Sequence, residues 1–158
     1  MTAQEIFGKL QEEFGSRVID LTEAENVQPF IRVAPEAIGE VALWLRDDEA
    51  MGFESLMCLS GVDYPDNLTV VYHLFSTPQR HRVVMKVEVD REDPHVPTVE
   101  HVWKVANWHE REAYDMFGIV FDGHSDLTRI LCPEDWEGFP LRKDYKVQET
   151  YRDMKVEV

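Results

Sequence analysis

The chain has 158 residues, enough for one domain, with 44% apolar and 30% charged residues, the balance of a globular protein with a sizeable core. A formal net charge of −15 argues against nucleic acid and anionic membrane surfaces as partners, since both require clustered Lys and Arg. Two cysteines, Cys58 and Cys132, with no CxxC between them, exclude a four-cysteine iron–sulfur or zinc site built by this chain alone.

In chain order, Ile6, Phe7, Leu10 and Phe14 fall on one face of a helix over Thr2–Phe14, which Gly15 stops. Met1–Leu10 lacks the basic-then-apolar pattern of a secretory signal, so a cytoplasmic location is expected. Arg17–Leu21 and Phe30–Val33 read as short strands, with Asn26 and Pro29 marking the turn. Pro35 suits the start of a second helix with a stripe of Ile38, Val41, Ala42 and Leu45, flanked by Trp44 and ended near Gly52. Three strand-like runs follow. Phe53–Val62 is mostly apolar, and Cys58 within it reads as a small core residue. Thr69–Phe75 and Val83–Val89 alternate. In the last run Val83, Met85, Val87 and Val89 share one face, opposite Lys86 and Glu88. After Pro94 and Pro97, Thr98 is the expected N-cap of a third helix reaching Phe117, with Val99, Val102, Trp103, Ala106 and Ala113 as its stripe and Gly118 as its stop.

The expected fold is α+β: a two-layer, mostly antiparallel sheet, simplest as a meander, with helices packed on one face. A globular domain over 1–118 is followed by an extended C-terminal docking segment over 119–158. That segment loses periodicity but keeps Leu, Ile, Trp, Phe and Tyr, so it reads as ordered chain packed against something else. Within it, Pro133-Glu134-Asp135-Trp136 resembles the first turn of a short helix.

No GxGxxG or GxxxxGK[ST] loop is present, which argues against a nucleotide site. His109 and Glu112, three apart on a helix, are two metal ligands at most, because Ala113 stands where HExxH needs its second His. A charged face turned to solvent or a partner is the simpler reading, and Arg111 and Asp115, four apart, are expected to pair weakly. No serine is framed as a nucleophile. Arg, Trp and Tyr in the last third are residue types that dominate protein–protein contacts; the plain alternative is that Trp136 and Tyr145 fold back on their own domain.

The stretch Glu110-Arg111-Glu112-Ala113-Tyr114-Asp115-Met116-Phe117-Gly118-Ile119 resembles the signature of the C subunit of bacterial complex I, the NADH:quinone oxidoreductase. So do Gly123-His124, Asp126-Leu127, Arg129-Ile130-Leu131, Pro133-Glu134-Asp135-Trp136 and Pro140-Leu141-Arg142-Lys143-Asp144-Tyr145, in the family's order and spacing. Ser125 departs from the usual proline, Thr128 from a frequent arginine, and Lys146-Val147 from a proline-containing continuation. The resemblance implies a peripheral-arm subunit on the cytoplasmic side of the bacterial inner membrane. It implies no cofactor in this chain, with flavin, iron–sulfur clusters and quinone held by partners. Those partners would be the quinone-site subunit (the D subunit) and the iron–sulfur subunits (the B and I subunits), which this chain would hold in place during electron transfer from NADH to quinone coupled to proton pumping. Residues expected to dock partners are Glu112, Tyr114, Asp115, Phe117, Arg129, Trp136, Arg142, Asp144 and Tyr145. Rival expectations are the same scaffold in a membrane-bound nickel–iron hydrogenase-type complex, a free-standing metal-dependent hydrolase using His109 and Glu112, and a binding module in another assembly.

Overall fold

A computed structural model describes residues 1–156. Helix α1, Ala3–Phe14, opens on a capping box: Glu5 N–H donates to Thr2 Oγ1, and Thr2 N–H donates to Glu5 Oε2. It ends at Gly15, whose φ of +59° suits a residue without Cβ. Ile6 and Leu10 are fully buried, while Phe7 and Phe14 flank the core. Strands β1 (Val18–Thr22) and β2 (Phe30–Val33) follow as expected, then a 3-10 turn at Pro35–Ala37 leads into helix α2 (Ile38–Asp47). Its stripe of Ile38, Val41, Ala42 and Leu45 is completely buried.

Strands β3 (Ser55–Asp63), β4 (Leu68–Ser76) and β5 (His81–Val89) form the expected antiparallel meander. Val83, Met85, Val87 and Val89 are all buried, as alternation required. The whole sheet has the order β1-β2-β5-β4-β3, and β2 runs parallel to β5. A pure meander is therefore corrected at one pairing. Helix α2 and the β3–β4 hairpin intervene between β2 and β5, and this long crossover brings the two alongside in the same direction. Cys58 is only half-buried, displaced by a bulge between Leu56 and Cys58.

The third helix differs from its sequence reading. Helix α3 spans Ala106–Phe117, not Thr98–Phe117. Thr98 instead follows a short strand, β6 (His95–Pro97), which pairs in parallel with β7 (Val120–Asp122). Val99, Val102 and Trp103 are buried as expected, but from turns preceding the helix. The Trp103 indole N–H donates to Phe53 O at 2.9 Å and fixes those turns to the sheet. Ile119 and Phe121 are buried in the same core, so irregular chain begins only after Asp122. Beyond it the regular elements are β8 (Thr150–Tyr151) and β9 (Met154–Lys155), a small hairpin. Pro133–Trp136 makes a single turn, Trp136 N–H to Pro133 O, and does not continue as a helix because Gly138 at φ +77° turns the chain away.

Candidate docking surface

Asp115 sits on the last turn of α3 with its carboxylate fully buried. Oδ2 accepts three successive backbone N–H groups, from Ile130 at 2.9 Å, Leu131 at 2.6 Å and Cys132 at 2.9 Å. Oδ1 accepts from Arg129 at 2.8 Å. Burial alone raises its pKa, but these four donors outweigh that and hold it below the usual carboxylate value. Arg129 reaches onward to Trp136 O and Gly138 O, so one ion pair organises residues 129–138. The expected Arg111–Asp115 pair does not form; Arg111 turns to Thr128, donating to its carbonyl and hydroxyl.

A second anchor lies at the α3 terminus. Gly118 has φ +75°, and Phe139 fills the space where a Cβ would stand, 2.5 Å away. Tyr114 meets the Phe139 ring edge-on with centroids 6.4 Å apart. Arg129 and Arg142 lie over the same ring, at 5.3 and 5.1 Å from its centroid. Arg142 donates to Phe117 O at 2.6 Å, and Leu141 N–H donates to Met116 O. At the end of β3, buried Asp63 pairs with Arg91 and accepts the Lys143 N–H at 2.7 Å. Burial works against its charge, and the Arg91 and Lys143 donors prevail to lower its pKa. Trp136 Nε1 donates to Tyr145 Oη at 3.1 Å, and Asp144 approaches Arg91 at 3.5 Å while staying exposed.

Glu110 is a buried acid that the sequence reading passed over. Its Oε2 accepts from the Thr98 hydroxyl at 2.5 Å and its Oε1 from Val99 N–H at 2.8 Å. Burial, reinforced by the nearby Glu100 charge, pushes its pKa up to about 7 against the lowering effect of those donors. The signal was available in the sequence. Ala106, Glu110, Ala113 and Phe117 are spaced i, i+4, i+7, i+11, which places the carboxylate inside the apolar stripe. The buried side chain of His124 lies 3.8 Å from Glu110. Its Nδ1 accepts from Asp126 N–H, so Nε2 carries the hydrogen and donates to Asn107 O at 3.2 Å.

His109 and Glu112 line one groove between α3 and β3. No group of three His, Cys, Asp or Glu placed to hold a metal occurs among the described residues. No helix there is long and apolar enough to cross a membrane.

The family model described as respiratory-chain NADH dehydrogenase, 30 Kd subunit, matches residues 31–151. The chain belongs to that family. A relative from Chlorobium phaeobacteroides, named as the C subunit of NADH-quinone oxidoreductase, is 51% identical over 150 residues, covering 93% of this chain and 90% of its own length. One of the same name from Chloroherpeton thalassium is 49% identical over 150 residues; there the match covers 93% of this chain but only 62% of the relative. Among solved structures, a trypsin-resistant fragment of Nqo5 matches with a TM-score of 0.65 and 31% identity, over 80% of this chain and all of that one. A polypeptide of the membrane-bound sulfane sulfur reductase, an archaeal respiratory membrane complex, matches with a TM-score of 0.73 over 98% of both chains. At 20% identity that likeness is one of fold.

In this member of the 30 kDa subunit family, the nine expected docking residues gather around the C-terminal end of α3. Asp115, Arg129 and Arg142 spend their polar groups on bonds within the chain, and Trp136 and Tyr145 bond one another inside the C-terminal segment. Phe117 packs on Gly61, and Tyr114 packs on Phe139. Glu112 and Asp144 face outward. Residues absent from the expected set, Leu131 and Leu141, are 62% and 54% exposed, and present apolar side chains from loops fixed by Asp115 and Met116.

Proposed function

We propose that this chain is a cofactor-free subunit of a proton-translocating NADH:quinone oxidoreductase, and that it positions the quinone-site subunit and the iron–sulfur subunits through its 119–158 segment. The observation that supports this reading most is the clamped irregular segment itself. Residues 129–145 have no helix or strand, yet Asp115, Asp63 and the α3 carbonyls hold them by directional bonds. An irregular segment held this way keeps a fixed shape, and exposed Leu131 and Leu141 on a fixed surface are characteristic of an association site. In this reading the internal bonds shape the surface, and Glu112, Asp144 and the two leucines meet the partners. The chain transfers no electron. It sets the distances between groups that do, from the cytoplasmic side of the membrane.

The test compares two variants in the assembled enzyme. Leu131→Glu leaves the fold intact and is expected to reduce recovery of the quinone-site and iron–sulfur subunits with a tagged chain. Trp136→Ala with Arg142→Ala is expected to weaken assembly by loosening the segment, with the isolated domain still folded by circular dichroism. Normal recovery of partners with both variants overturns the proposal. Stoichiometric flavin, metal or cluster in the purified chain overturns it equally.

A further inference from the structure

The two edges of the main sheet are defended unequally. At β1 the edge strand has five residues, a bulge between Val18 and Asp20, and the Asp20–Arg32 ion pair. At β3 the edge runs for nine residues, Ser55–Asp63, with no Lys, Arg, Glu or Pro and its only acid at the last position. Edge strands in free-standing domains are ordinarily blunted by charge, proline or brevity, because their outward N–H and C=O groups template further pairing. Here the devices among the described residues are one bulge at Met57 and helix α3, which packs along β3 with Phe117 against Gly61 but makes no hydrogen bond to the strand's backbone. β3 pairs only with β4, and among the described residues no backbone hydrogen bond outside the ladder involves Ser55–Asp63. Alternate backbone groups of this edge therefore have no partner among the described residues.

A groove of about 180 Å³ runs beside the edge. Leu59, Met116 and Phe117 make it apolar, Leu141 stands on its rim, and His109 and Glu112 lie along the helix side. Glu112 is exposed and forms no ion pair among the described residues. Met57, 63% exposed, projects from the edge itself. A second copy of the chain is a poor occupant, since two bodies each carrying −15 repel one another.

We infer that the β3 edge receives an extended segment of a partner subunit, alternating apolar with Lys or Arg side chains, which joins the sheet as a sixth strand. This deepens the scaffold reading above and rests on it. Main-chain bonds to β3 supply affinity, apolar side chains enter the groove, and the basic ones meet Glu112.

The experiment measures amide hydrogen exchange across Ser55–Asp63 in the isolated chain and in the purified respiratory assembly. A photoreactive residue at position 57 identifies what lies against the edge, by sequencing the cross-linked peptide. The expected result is at least about tenfold slower exchange of the outward amides in the assembly, with a cross-link to a partner segment rich in Lys or Arg. Met57→Lys with Ser60→Lys, both at exposed positions, should cut partner recovery about tenfold, while Ile19→Lys on the β1 edge should not. Unchanged exchange, a cross-link to a second copy, or a cross-link to an acidic or helical segment overturns the inference. If the assembly is recovered with β3 unprotected, this inference alone fails. If no assembly is recovered at all, the subunit reading falls with it.

Discussion

Asp115 and Glu110 lie five residues apart on α3, are both fully buried, and titrate in opposite directions. Asp115 faces four donors that stay charged or polar at every ordinary pH, so its ionised form is favoured in the folded chain. Its contribution is complete above the ordinary carboxylate pKa and is lost as pH falls through the depressed folded value. Asp115→Ala leaves Arg129 and three N–H groups without their acceptor. The expected loss is about 3 kcal/mol, at the low end for a broken buried pair because water reaches residues 130–132. Urea unfolding and limited proteolysis of the 129–145 segment check it. Glu110 has the reverse linkage. Its folded pKa of about 7 exceeds the reference 4.5, so the native state binds the proton more tightly. Stability is greatest below pH 4.5 from this group and declines as pH rises, levelling above about 7, by about 3 kcal/mol in all. Glu110→Gln keeps an acceptor for Val99 N–H and places an amide donor beside the Thr98 hydroxyl. It should flatten the slope of the urea midpoint between pH 5 and 7, and an unchanged slope would assign that slope to other groups.

Among the elements, α3 shows how far periodicity carries and where it stops. The stripe residues Val99, Val102, Trp103, Ala106 and Ala113 were correctly read as buried from their spacing, yet the helix begins only at Ala106. The turns from Val99 to Val105 repeat every three to four residues, as a helix does, and single-chain spacing does not separate the two. The β6–β7 pairing decides the matter by drawing Thr98 to Asp122, whose carbonyl accepts the Thr98 N–H. The C-terminal end of α3 was legible, since Gly118 after Phe117 is the expected left-handed stop. What no local signal carried is that Phe139, twenty-one positions on, packs against it. Gly118→Ala therefore adds a ring clash to the cost of a positive φ. The expected destabilisation is about 2–3 kcal/mol, read from the thermal midpoint, with Gly8→Ala, which has open space around it, as the control.

For the whole molecule, the sequence determined the class of structure and the family. The apolar face of β5, the helical stripes of α1 and α2, and the absence of clustered cysteines are local or compositional properties that carry into the folded chain, whereas β4 is buried on both faces from Leu68 to Tyr72. The signature between Glu110 and Tyr145 marked the family for the same reason, being a matter of residue order. Tertiary structure alone decided the parallel β2–β5 pairing, because crossover direction depends on how intervening elements pack. It alone decided that Arg129 belongs to Asp115 and Arg142 to the α3 carbonyls, since partners distant in sequence are chosen by which groups remain unpaired once the core closes. Loops obey no period, so their side chains find function through the donors and acceptors that helix ends and sheet edges leave open.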